Sequence, residues 1–138
     1  MARDAYHDAV RHALEKEGWQ ITHDPFPIPL PGVTLQVDLG AERLVAAMRE
    51  DERIAVEIKV FGGASFVQAF HLALGQFLNY RVNLELQEPE RQLWLAVTSD
   101  TFDSFFHTEL VTRSVTHYQV PILVYNPLSE MIELWQAT

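Results

Sequence analysis

The chain has 138 residues, 48% hydrophobic and 21% charged, which is enough apolar material for one packed core and too balanced a composition for a disordered chain. It contains no cysteine, so disulfides, thiolate zinc clusters and thiol nucleophiles are excluded and any metal must be held by oxygen or imidazole. The formal net charge of -9 runs against simple phosphate binding, because non-specific affinity for nucleic acid comes mainly from Lys and Arg.

Residues 1–138 read as a single domain. No stretch approaches the roughly 18 uninterrupted apolar residues of a membrane span. The start MARDAYHDAV also lacks the basic-then-apolar pattern of a signal peptide, so a cytoplasmic protein without membrane contact is expected.

In chain order, Tyr6, Ala9, Val10, Ala13 and Leu14 recur at helical spacing, which predicts a first helix over Ala5 to Glu17 with Gly18 at its C′ position. Trp19 and Ile21 then alternate with polar residues as in a short strand. Prolines at 25, 27, 29 and 31 predict an extended loop or edge. From Val33 to Leu39 the aliphatic residues take every second place, a period-two strand that turns Asp38 away from the aliphatic face.

Leu44 to Met48 is expected as a further strand, with the charged run Arg49 to Arg53 as a solvated hairpin tip before a third strand, Ile54 to Val60. On that strand Glu57 and Lys59 share the face opposite to Ile54, Val56 and Ile58. Gly62-Gly63 ends it, and Ser65 caps a long helix running from Phe66 to about Leu86. Gly62-Gly63 lacks the G-K-[ST] ending of a phosphate loop and serves a tight strand-to-helix connection.

Arg91 to Thr98 is a nearly continuous apolar strand, of the kind buried on both faces; reached by a crossover helix, it is expected to run parallel to an earlier strand. Ser99 to Tyr118 reads as helix with breaks, Val120 to Tyr125 as strand, Asn126-Pro127 as a turn and Met131 to Trp135 as a last strand. The expected fold is α/β (α+β): a mixed central sheet with a helix on each side, plus a C-terminal helix and β-hairpin.

Phosphodiester cleavage needs a cation that polarises the phosphoryl group and activates water, and magnesium does this with one or two carboxylates while keeping several waters. If their strands are neighbours, Asp38 and Glu57 supply those carboxylates. Lys59 then lies close enough to orient water or stabilise developing charge. Gln76 and Tyr80, four apart on the second helix, reach one common point against phosphate or neighbouring DNA. The carbonyl of Ile58, at a strand end near an expected bulge, is a candidate third metal ligand.

The segments DLG at 38–40, EIK at 57–59 and QFLNY at 76–80 together resemble the PD-(D/E)XK nucleases. The order of helix, three strands, helix and strand is similar to that superfamily's restriction-endonuclease-like αβββαβ core. The resemblance spans residues 4 to 98 and departs from the motif name at Val37, where proline is expected. It implies Mg2+ (or Mn2+) held by Asp38 and Glu57, water assisted by Lys59, and a Gln76–Tyr80 pair of the RecB-like subgroup. It also implies a further site residue on the first helix, for which His7 is the best match, and a homodimer, although no interface is evident.

The stretches ARDAYHDAV, THDP, VDLGAE, IAVEIK and ALGQFLNYR further resemble the cyanobacterial XisH family of fdxN-element excision controlling factors. That resemblance implies a protein that acts on DNA with a site-specific recombinase and a small XisI-like partner, in element excision during heterocyst development. It does not require that the chain itself cut DNA.

Plainer readings compete at each position. Glu57 and Lys59 alone would pass for a cross-strand pair on a half-solvated sheet. The six histidines lack the spacing of a zinc helix motif, and Trp19, Trp94 and Trp135 read as core. Two functions are therefore carried: a Mg-dependent DNA endonuclease, and a catalytically silent accessory protein, which the acidic balance favours.

Overall fold

The computed structural model describes residues 3–45, 50–62 and 65–137. Helix α1 (Arg3–Lys16) is followed by β1 (Gln20–His23), a hairpin of β2 (Phe26–Leu30) and β3 (Val33–Val37), and the long pair β4 (Leu39–Val45) and β5 (Glu50–Ile58). Helix α2 (Phe66–Gln87) crosses over to β6 (Arg91–Thr98); α3 (Ser99–Phe105), α4 (Glu109–Tyr118), β7 (Ile122–Asn126) and β8 (Met131–Gln136) complete the order.

The main sheet has strand order β1-β4-β5-β6-β7-β8, and β2-β3 forms a separate two-stranded sheet. Strands β5, β6 and β7 run parallel; β4 and β8 flank them antiparallel, and β1 pairs antiparallel with β4 at the edge. Parallel strands need crossovers, and α2 is one. This is the mixed α/β architecture expected, and no helix among the described residues is long and apolar enough to cross a membrane.

Alternation along the strands builds two apolar layers. On one face Ile54, Val56, Trp94, Ala96, Leu123 and Tyr125 pack under Ala9, Val10 and Leu14 of α1. On the other, Ala55, Leu93, Leu95 and Val97 pack against Phe70, Phe77 and Leu84 of α2, with Val111 and Val115 of α4. Because β6 faces a layer on each side, its run RQLWLAVT is buried almost throughout.

Three expectations are corrected in detail. The alternation from Val33 to Leu39 is one strand in sequence but two in space, because the chain leaves the small sheet at Val37 and enters the main one at Leu39, with Asp38 between. The strand expected from Leu44 instead runs from Leu39 to Val45, and residues 46–49 lie outside the described region. The charged run is not a loop tip: β5 begins at Glu50, and Arg43 pairs with Glu52 at 2.8 Å across the ladder. Charged side chains suit this stretch because a paired backbone needs no apolar side chains where the sheet projects beyond its layers.

The proline-rich segment does form a strand, β2, at an edge. Pro27 and Pro29 take the exposed places and Phe26 and Ile28 the buried ones. At the amino end of β6, Arg91 is only 4% exposed. It donates to the Ile54 carbonyl at 2.9 Å, lies 3.3 Å from Glu42 and 3.2 Å from Glu88, and stacks 4.4 Å over Phe26. A buried guanidinium needs these partners to offset its lost hydration.

Candidate functional site

The carboxyl end of β5 carries Glu57 and, one step beyond the strand, Lys59. The Lys59 amide donates to the Ala96 carbonyl at 3.0 Å, prolonging the parallel ladder so that both side chains keep the face turned to α2. Open α/β sheets bind ligands outside the carboxyl ends of parallel strands. Leu39 pairs with Val56 in the antiparallel register, which sets Asp38 beside Glu57.

The two acidic residues are tied through backbone amides. Asp38 N donates to Glu57 Oε1 at 3.3 Å, and Ile58 N donates to Asp38 Oδ2 at 2.7 Å. Lys59 Nζ stands 3.6 Å from Glu57 Oε2 and also donates to Gln76 Oε1, while Gln76 Nε2 donates to Tyr80 Oη at 2.8 Å. Asp38, Glu57, Lys59, Gln76 and Tyr80, drawn from a strand junction, a strand end and a helix, thus form one connected chain. The i,i+4 spacing of Gln76 and Tyr80 on α2 makes their contact possible.

Glu57 is 4% exposed. Burial, then the neighbouring Asp38 carboxylate, pushes its carboxyl from the ordinary 4.5 up to about 8, against the opposing pull of Lys59. At neutral pH Glu57 therefore retains a proton, and a divalent cation is the charge that a buried carboxylate beside a second one accepts in its place. Among the described residues no third histidine, cysteine or acidic side chain joins them. The donor set is oxygen only, which fits magnesium or manganese completed by water and by a carbonyl such as that of Ile58. Strand β5 ends at Ile58, two residues short of the Val60 expected, and its pairing is regular with β4 as far as Val56 and with β6 as far as Ile58, without the bulge anticipated.

His7 is engaged elsewhere and makes no hydrogen bond to this cluster. Its Nε2 is 2.7 Å from Asp24 Oδ1, and Arg11 Nη1 is 2.6 Å from Asp24 Oδ2. Two features escaped the sequence reading. Tyr125 is fully buried, its hydroxyl has no hydrogen-bond partner among the described residues, and burial together with Tyr6 and Asp38 raises its pKa. In the run ILVYN it passes for core. Gly40, the last letter of DLG, is held glycine by contact: a Cβ there would stand 2.6 Å from Phe26 Cδ2 and 3.2 Å from His23 Cβ.

A family model described as XisH protein matches residues 1–133. The crystal structure of an XisH family protein from Nostoc punctiforme is similar at 43% identity and a TM-score of 0.86, over 96% of this chain and 98% of that one. The crystal structure of a fdxN element excision controlling factor protein from Anabaena variabilis is similar at 42% identity and a TM-score of 0.87, with the same shares covered. Among curated proteins there is no significant match. Fold, sequence and family model agree over nearly the whole length: the chain belongs to the XisH family.

Proposed function

We propose that this chain is an element-excision controlling factor with an endonuclease-like site of the PD-(D/E)XK kind, acting on phosphodiester bonds in DNA during site-specific rearrangement in the cytoplasm. The observation that carries the reading is the pairing of buried Glu57 with half-buried Asp38 at the end of β5, with Lys59 between them and the Gln76–Tyr80 pair. The likeness to a fdxN element excision controlling factor supports the biological setting.

In this reading Asp38, Glu57 and the Ile58 carbonyl hold Mg2+ or Mn2+, which when bound polarises the scissile phosphate and lowers the pKa of water. Lys59 orients the attacking water and balances charge developing on the phosphate. Gln76 fixes the Lys59 ammonium through its carbonyl oxygen, and Tyr80 in turn fixes the Gln76 amide. The helix thus positions the group that the strand supplies.

The second reading is an accessory protein that keeps the fold and acts by binding an XisI-like partner or a recombinase. The net charge of -9 favours it, since a protein surface needs no excess of Lys and Arg. Incubation of the purified protein with duplex and single-stranded DNA and Mg2+ or Mn2+ separates the two. The nuclease reading expects cleavage that falls by about 100-fold or more in Glu57→Ala and Lys59→Ala. Equal cleavage by wild type and variants removes the site assignment. No cleavage, together with recovery of a protein partner in a pull-down, establishes the accessory role.

A further inference from the structure

The outward face of α2 is apolar where a lone helix would be polar. Leu72, Val82 and Leu86 are 68%, 59% and 81% exposed. With Gly75 and Asn79 they fall at positions 72, 75, 79, 82 and 86, the alternating three-and-four spacing of a helix seam. The inner face of the same helix already fills the core with Phe70, Ala73, Phe77 and Leu84, so α2 is apolar on two sides.

Gly75 adds an independent observation. Among the described residues a Cβ at this position would meet nothing within 4 Å in its own chain. Glycine in a helix interior is destabilising relative to alanine, and this chain's own packing gives no reason for it. A second helix lying close against α2 does.

We infer that α2 is a self-association face, on which two copies of the chain pack α2 against α2 antiparallel about a dyad at Asn79. Such packing sets Leu72 against the partner's Leu86 and Gly75 against the partner's Val82, and brings the two Asn79 side chains together. The contact is isologous: each residue meets the one that meets it. The glycine opposite valine lets the helices approach closely.

Charge selects both the occupant and the direction. The chain carries -9 overall, yet Arg81 and Glu85 are the only Lys, Arg, Asp or Glu in the 22 residues of α2. Arg81 is turned aside to the end of α4, donating to the carbonyls of Tyr118 and Gln119. Two acidic copies therefore repel least on this face. In the antiparallel arrangement exposed His71 flanks the partner's Glu85, whereas a parallel one stacks Glu85 on Glu85. The seam spans about four turns of one helix, a small contact, so a dissociation constant in the micromolar range is expected.

Sedimentation over a roughly hundredfold range of concentration around the micromolar tests this. The expected result is a shift from 15.8 kDa towards twice that mass. Leu72→Glu is expected to weaken it by about 30-fold or more with the circular dichroism unchanged. Gly75→Ala is the second probe, expected to raise the melting temperature of the dilute monomer while weakening the dimer. Because the chain has no cysteine, Asn79→Cys alone is expected to oxidise to a cross-linked dimer, and Leu72→Cys only when combined with Leu86→Cys. A wild type that stays monomeric, a dimer indifferent to Leu72→Glu, or efficient cross-linking by Leu72→Cys alone overturns the proposal.

Discussion

Asp38 and Glu57 hold each other through the backbone of the neighbouring strand. The Asp38 amide donates to Glu57 Oε1 at 3.3 Å, and the Asp38 carboxylate takes the Ile58 amide at 2.7 Å. Each acidic side chain thereby commits one oxygen to a main-chain amide, leaving Asp38 Oδ1 and Glu57 Oε2 for other partners. The pair is rigid because the register of two strands fixes it.

Divalent-ion binding is expected to release a proton. With the Glu57 carboxyl pushed up to about 8, occupancy by Mn2+ at neutral pH displaces the retained proton, so affinity rises with pH and levels off above that value. Calorimetric titration in buffers of different ionisation enthalpy measures the proton count. Glu57→Gln is expected to abolish the release, and an unchanged release would place the proton elsewhere.

Stability of the metal-free protein is expected to fall as pH rises. The folded-state pKa of Glu57 lies above the unfolded value, so its contribution is fully present below about 4.5 and is lost progressively as pH rises through about 8. The upper bound on the slope is about 1.4 kcal/mol per pH unit. Urea denaturation at several pH values checks the sign, and Glu57→Gln is expected to flatten the profile over that window.

Lys59→Met is expected to remove the one cation acting directly on Glu57 and so raise its pKa further. Metal affinity at neutral pH then falls even though Lys59 is not a ligand. In Gln76→Ala, where Lys59 loses an anchor and keeps its charge, the pH midpoint of metal binding is expected to stay near the wild-type value. Comparing those midpoints distinguishes charge from positioning.

Gly40→Ala is expected to cost about 1–3 kcal/mol of stability by overpacking, because the Phe26 ring it would strike is 3% exposed and locked in the core. Paired with Phe26→Leu, part of that loss is expected to return. Additive losses in this double-mutant cycle would show that the two positions are not coupled.

Much of the fold could be read from the sequence because local pattern and tertiary role coincide. The run RQLWLAVT is strand from Arg91 to Thr98, the Ser65 hydroxyl caps α2 by accepting from Gln68 N, and Gly18 takes φ +89° after α1. The face shared by Glu57 and Lys59 followed from period two, and the Gln76–Tyr80 contact from the helical turn. The division of Val33–Leu39 between two sheets was not legible, since alternation continues unbroken across Asp38 and only long-range pairing assigns each half. Arg91 was equally hidden: its burial depends on acceptors contributed by Ile54, Glu42 and Glu88, scattered along the chain.

Arg91 is buried away from the carboxylate pair. Its guanidinium fastens the amino end of β6 to the middle of β5, at Ile54, while the carboxylate pair lies at the carboxyl end of β5. Anchor and carboxylate pair thus lie apart on one sheet. Substitution of Asp38 or Glu57 leaves every contact of that anchor in place, so variants at the carboxylate pair are expected to keep the packing of the sheet.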